Sequence, residues 1–239
     1  MSTGRRAFLR AFALGFWICC VLGKEPTAVA KVRPQLRVEA SSTLVFAPKT
    51  FTGVPAPVTV ALHGMCGGPE MCGAFAAAAT ERGFLVCPRA PIACPGGGTL
   101  WDAARSSDAV EAAVADVVRD HPGRVDAGQR TLVGFSQGAF VAMRLANEAP
   151  TRWPRVVLLA AKVEPDVSRL AGSGIRVLLG AGDLDASRNH MEARSRTLGR
   201  AGVDARFVSL GRVGHRFAPD MDAWMNEALL WLHPIPGTS

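Results

Sequence analysis

The sequence predicts an α/β protein: a mostly parallel central sheet flanked by helices on both faces. Three observations point there. Runs of Val, Ile and Leu at 58–62, 155–160 and 175–180 are unbroken rather than alternating, as in strands buried on both sides. Stretches with helical spacing separate these runs, the order that builds parallel strands through crossovers. Finally, Gly134-Phe135-Ser136-Gln137-Gly138 lies where an apolar run gives way to a helical pattern. A serine on such a tight strand-to-helix turn is pushed out of the sheet with its hydroxyl exposed.

The elements follow in order. Residues 36–46 read as extended and 51–57 as a Pro/Gly turn region. Residues 58–63 form a buried strand. The Ala-rich stretch 67–82 is helical after Pro69, and 84–87 is a strand stopped by Pro88. Two prolines and three consecutive glycines make 90–99 a loop. Residues 100–121 are helical, with Val110, Ala113, Val114, Val117 and Val118 on one stripe. The strand at 132–135 leads through the Gly-x-Ser-x-Gly turn into a helix, where Phe140, Met143, Leu145 and Ala146 mark one face. Strands at 155–160 and 175–180, a charged helix at 188–201, a last strand at 204–210 and a helix at 220–232 complete the chain.

Residues 1–30 are expected to be a signal peptide, with residues 31–239 forming one α/β domain. Arg5-Arg6-Ala7-Phe8-Leu9 resembles a twin-arginine export signal, a 13-residue apolar stretch (11–23) follows, and Ala28-Val29-Ala30 supplies a cleavage pattern. No apolar run reaches the ~20 residues that span a bilayer, so no stable membrane anchor is expected. Setting aside Arg5, Arg6, Arg10, Lys24 and Glu25 lowers the net charge from +7 to +4, without a basic cluster, so nucleic acid is not an expected partner. Cys66, Cys72, Cys87 and Cys94 remain. An even number in an exported chain predicts two disulfides, with three pairings open. Neither Cys-x-x-Cys nor a finger-like histidine spacing occurs, so zinc is not expected. With no tyrosine in the chain, chemistry that needs a tyrosine acid or base is excluded.

In parallel sheets the working site lies beyond the carboxyl ends of the strands. After the 58–63 strand comes a glycine-rich turn, His63-Gly64-Met65-Cys66-Gly67-Gly68. Such a turn can offer backbone N–H groups to a developing negative charge; the N–H groups of Met65 and Gln137 are the expected pair, and His63 is expected to shape the turn. After the 175–180 strand comes Ala181-Gly182-Asp183-Leu184-Asp185. Asp183, nearest the strand end, is the expected partner for a histidine; Asp185 is the alternative, although it also suits a cap for the helix near Ser187. After the last strand, His215 stands in a glycine-flanked loop that can reach back over Ser136. Ser136, His215 and Asp183 in these places fit nucleophile, base and orienting acid.

These residues resemble the α/β-hydrolase superfamily: His63-Gly64-Met65-Cys66-Gly67, Gly134-Phe135-Ser136-Gln137-Gly138, Gly180-Ala181-Gly182-Asp183 and Gly214-His215 reproduce its catalytic order. Gly-Phe-Ser-Gln-Gly-Ala, with Trp101 upstream, is similar to the carboxylesterase/phospholipase group. The exported, cysteine-containing chain also resembles secreted polyhydroxybutyrate-depolymerase-like and feruloyl-esterase-like enzymes. The resemblance implies hydrolysis of carboxylic esters through an acyl-enzyme, without a cofactor, on a small-molecule or polymer-end ester. The chain departs from that pattern in its oxyanion-turn cysteines and in the short segment before 175, where many members insert a lid; short acyl chains are therefore expected. Two other readings stay open, a serine peptidase on the same fold and a hydrolase fold kept for binding alone. The oligomeric state is not readable.

Overall fold

The computed structural model describes residues 43–102 and 104–233. The segment expected to be a signal peptide lies outside them. The strands are β1 (Leu44–Phe46), β2 (Ala56–Leu62), β3 (Phe84–Cys87), β4 (Ile92–Ala93), β5 (Thr99–Leu100), β6 (Val125–Phe135), β7 (Arg155–Leu159), β8 (Arg176–Ala181) and β9 (Asp204–Ser209). The helices are α1 (Ala76–Thr80), α2 (Ser106–Asp120), α3 (Gln137–Glu148), α4 (Val167–Leu170), α5 (Arg188–Arg200) and α6 (Met221–Leu232), with a 3-10 helix over Pro69–Phe75 before α1. Seven strands form one sheet in the order β1-β3-β2-β6-β7-β8-β9. β1 runs antiparallel to β3, and every other pair is parallel.

Because successive strand residues point to opposite faces, the sheet feeds two cores. Val58, Val60, Leu62, Leu132, Val156, Leu158, Val177 and Leu179 pack with Val110, Val114 and Val117 of α2, Met143 and Ala146 of α3, and Met191 and Leu198 of α5. Ala61, Leu85, Val133, Val157, Leu159 and Leu178 pack on the other face with Phe75, Ala78, Met225 and Leu229. The unbroken apolar runs are thus explained strand by strand. Leu132 and Leu158 have no solvent-accessible surface, and truncating either to alanine would cost roughly 2–5 kcal/mol.

Local physics redraws several expected boundaries. The stretch 67–82 is not one helix. Pro69 starts a 3-10 turn, Gly73 lies within it, and only 76–80 is α-helical. The 90–99 loop holds a two-stranded ribbon, with Ile92 paired to Leu100 and Ala93 to Thr99, closed around the glycines. The α2 helix starts at Ser106 rather than 100, after Asp102 accepts hydrogen bonds from the N–H groups of Ala104 (2.6 Å) and Arg105 (3.2 Å). Val118, 38% exposed, lies off the α2 stripe. β6 begins at Val125, seven residues before its apolar run, because Ala56–Leu62 offers it a parallel partner. Two disulfides are present among the described residues, Cys66–Cys94 and Cys72–Cys87. The first ties the turn after β2 to the β4–β5 ribbon, and the second ties the 3-10 helix to the end of β3. Among the described residues, no helix is long and apolar enough to cross a membrane.

Candidate active site

Ser136 joins β6 to α3 with φ 53° and ψ −115°, a left-handed backbone that costs a non-glycine residue about 1–3 kcal/mol. Its surroundings over-determine that geometry. The Ser136 N–H donates to the Leu159 carbonyl (2.8 Å), and its carbonyl accepts from Ala139 N–H (3.0 Å). A Cβ on Gly134 would stand 2.4 Å from the Gly138 carbonyl oxygen, and one on Gly138 would stand 2.1 Å from that of Leu62. Both glycines are therefore steric requirements: backbone passes where a methyl group would sit.

His215 reaches back from the loop after β9. Its Nε2 lies 2.9 Å from Ser136 Oγ, and its Nδ1 lies 2.8 Å from Asp185 Oδ2. A carboxylate can only accept, so Nδ1 carries the proton and the Nε2 lone pair faces the serine hydroxyl. The imidazole packs against Phe135, with ring centroids 5.3 Å apart. Two backbone bonds hold the loop after β8 to the loop after β9: Asp183 N–H to Gly211 carbonyl (2.9 Å) and Leu184 N–H to Val213 carbonyl (3.0 Å).

The expectation that Asp183 meets the histidine is corrected. Its carboxylate accepts from Ser209 Oγ (2.7 Å) and pairs with Arg188 Nε (3.2 Å), with no hydrogen bond to His215. The Ser209 hydroxyl, then Arg188, hold its carboxyl below the usual range. Asp185 turns inward instead. Oδ1 accepts from both the N–H and the hydroxyl of Ser187, each at 2.7 Å, while Oδ2 serves His215. Burial pushes the Asp185 carboxyl up, but the Ser187 N–H, the Ser187 hydroxyl and His215 together outweigh it, so the group stays ionised below the ordinary carboxylate value. The helix-start and histidine-partner readings of Asp185 were not exclusive: a carboxylate has two oxygens.

The turn after β2 crosses in front of Ser136. A Cβ on Gly64 would sit 3.3 Å from Ser136 Cβ. Among the described residues, the backbone N–H groups of Met65 and Gln137 have no hydrogen-bond acceptor; Gln137 is the first residue of α3, where N–H groups lack an intrahelical partner. His63 is 1% exposed. Its Nε2 accepts from Ala90 N–H (3.2 Å), so the proton rests on Nδ1, which donates to the Gly64 carbonyl (2.8 Å). That carbonyl belongs to the same peptide group as the Met65 N–H, and loading its oxygen strengthens the N–H as a donor. Burial lowers the pKa of His63 and keeps it neutral. The Gln137 side chain clamps Trp101: Oε1 accepts from Trp101 N–H (3.0 Å), and Nε2 donates to Trp101 carbonyl (3.3 Å). The Trp101 indole N–H then donates to the His63 carbonyl (2.8 Å). This clamp carries no sequence signal beyond a polar residue after the serine and a tryptophan upstream.

A cleft of about 420 Å³ opens beside His215, between the 63–71 segment and the loop after β9. Met65, Met71, Phe135 and Phe217 form its apolar wall, with Glu70 and Arg216 as charged members. Phe217, edge-on to Phe135 at 4.7 Å, was not singled out by sequence pattern. Among the described residues, no group of three or more His, Cys, Asp or Glu could hold a metal ion.

The Esterase family, whose description reads "Putative esterase", matches residues 91–224, more than half of the chain. No curated protein matches it. Solved structures share the fold. Esterase PE8 is 22% identical, with a TM-score of 0.61 over 81% of this chain and 99% of that one. A ferulic acid esterase is 15% identical, with a TM-score of 0.60 over 82% and 98%. The Bacillus cereus carboxylesterase is 16% identical, with a TM-score of 0.56 over 79% and 94%. At these identities the likeness is one of fold, and the family match carries the rest: the chain belongs to the Esterase family and is a carboxylic ester hydrolase of the α/β-hydrolase fold.

Proposed function

We propose that the protein is an exported serine esterase that cleaves short-acyl esters through an acyl-enzyme on Ser136. The observation that carries this reading is the continuous line from Ser136 Oγ through His215 to Asp185, at 2.9 and 2.8 Å. Ser136 Oγ attacks the ester carbonyl carbon and passes its proton to His215 Nε2. The carbonyl oxygen gains the negative charge and is held by the Met65 and Gln137 N–H groups, each such donor contributing roughly 3 kcal/mol. His215 then gives its proton to the departing alkoxide. Water, deprotonated by the same nitrogen, repeats the sequence and releases the carboxylic acid and free Ser136. Asp185 holds the imidazole in the required tautomer and stabilises its charged form.

Short acyl chains fit a cleft of about 420 Å³ and the 16 residues between β7 and β8, whose one helix is the four-residue α4. Export is supported by the features of residues 1–30 and by the two disulfides, which belong to oxidising compartments. The test uses residues 31–239 with para-nitrophenyl esters of increasing chain length. Ser136→Ala is expected to abolish turnover while leaving the melting curve in place. More than a few per cent of residual activity would remove Ser136 as nucleophile, and an optimum at long chains would remove the short-acyl assignment.

A further inference from the structure

The cleft beside His215 is apolar along most of its wall, yet it holds an unneutralised positive charge. Of its two charged members, Glu70 is already paired: Arg89 Nη2 lies 3.1 Å from its Oε1. Arg216 is not. Among the described residues its guanidinium makes no hydrogen bond, ion pair or ring contact. Other arginines of the described residues do meet acids. Arg188 meets Asp183 and Glu192, and Arg194 meets Glu164. Arg212, on the same loop as Arg216, also lacks a partner among the described residues, so the loop that carries His215 presents two cations without counter-ions.

The position of Arg216 is set by the chemistry next to it. Its N–H donates to the Gly214 carbonyl (2.8 Å) across His215, so the guanidinium stem leaves the chain one residue from the base. Met71 and Phe217 wall the same cleft. A cation at the rim of an apolar slot recognises an anion better than one in open water, because part of the solvent that would screen it is displaced. The planar fork of arginine suits a carboxylate in particular. A positively charged ester would meet repulsion there, and a neutral one would leave the charge unused.

We propose that Arg216 binds a carboxylate carried by the substrate, so that the enzyme prefers esters with an anionic substituent over neutral esters of the same length. The proposal rests on ester hydrolysis at Ser136 and adds the substrate class. Arg216 acts here as a specificity residue; it takes no part in bond making.

The test compares two matched pairs with the residue 31–239 protein. On the acyl side, the para-nitrophenyl monoester of glutaric acid is set against para-nitrophenyl butyrate. On the alcohol side, the butyrate ester of glycolic acid is set against ethyl butyrate in a pH-stat. The expected result is a higher kcat/KM for the carboxylate member of at least one pair, an advantage that shrinks in high salt. Arg216→Gln should lower that ratio roughly tenfold, which is about 1.4 kcal/mol. Arg216→Lys, with charge but no fork, should fall between, and Arg216→Glu should reverse the preference toward an ester bearing trimethylammonium. Preference for the neutral member of both pairs, or an Arg216→Gln ratio equal to the wild-type ratio, overturns the proposal while leaving ester hydrolysis in place. Failure of folded wild-type protein on all four esters would instead count against the Ser136 reading beneath it.

Discussion

Asp183 and Asp185 are two residues apart and do different work. Asp183 has a side chain 41% exposed and is satisfied by Ser209 and Arg188. Asp185 is 8% exposed and spends one oxygen on the start of α5 and the other on His215. Asp185→Asn is therefore expected to lower kcat by roughly a hundredfold or more, because an amide nitrogen facing His215 Nδ1 favours the wrong tautomer. Asp183→Asn should stay within a few-fold of wild type. Steady-state kinetics on one short ester decides it, and a larger loss in the Asp183 variant would return the acid role to that residue. Sequence could place both aspartates after β8 but could not choose between them. Distance from the strand end favoured Asp183, whereas the direction each side chain takes is set by contacts with Ser209 and Val213, far along the chain.

The turn after β2 shows how much of an element is fixed by neighbours rather than by its own residues. Buried His63 holds the Gly64 carbonyl, the Trp101 indole holds the His63 carbonyl, and Cys66–Cys94 pins the next residue but one to the ribbon. The second bridge, Cys72–Cys87, is buried in the core and ties the 3-10 helix to β3 rather than to the turn after β2. The two bridges should therefore fail differently. Replacing Cys72 and Cys87 by alanine should cost about 3 kcal/mol of stability, from loop closure alone, with kcat at low temperature near wild type. Replacing Cys66 and Cys94 should cost a similar stability and also lower kcat several-fold, since Met65 stands beside Cys66. Denaturant unfolding and kcat on both double variants test this; equal kcat in the two would detach the first bridge from the proposed anion-holding role of the turn. At this scale the buried strands were legible because two-sided burial leaves an unbroken apolar run. The β4–β5 ribbon and the polar start of β6 were not, because their pairing partners are distant and their own composition reads as loop.

For the molecule as a whole, acid stability turns on a histidine remote from the cleft. His233 follows α6 and lies against Thr131, with Nε2 2.9 Å from Oγ1. Burial, with Arg155 and Arg82 nearby, lowers its pKa to about 4. The unfolded chain takes up that proton near pH 6.5, whereas the native state resists until about pH 4, so stability falls as pH drops through that window. After a discount for partial exposure the loss is on the order of 2 kcal/mol. Asp183 and Asp185, whose carboxyls sit below their ordinary value, withdraw their contribution only at lower pH. Unfolding in denaturant at about pH 7 and about pH 4.5 should reveal the slope, and His233→Gln should flatten it; an unchanged slope in the variant would assign it elsewhere.

Among the described residues, no disulfide joins the turn after β2 to the turn that carries Ser136. The first of these turns follows β2 and the serine follows β6, and the coarse spacing between them is set by one run of parallel pairing, Val58 with Arg130 through Leu62 with Gly134, with the Gln137–Trp101–His63 contacts trimming it. Strands slide past each other only in whole residues, about 3.3 Å at a time, and an odd slip turns buried faces outward. The coarse gap between Ser136 and the Met65 amide thus changes only by whole strand steps. A slip of that pairing would part the two turns outright, whereas loss of the Gln137–Trp101 clamp or of Cys66–Cys94 would shift them slightly, so the first kind of damage should give silent molecules and the second slowed ones.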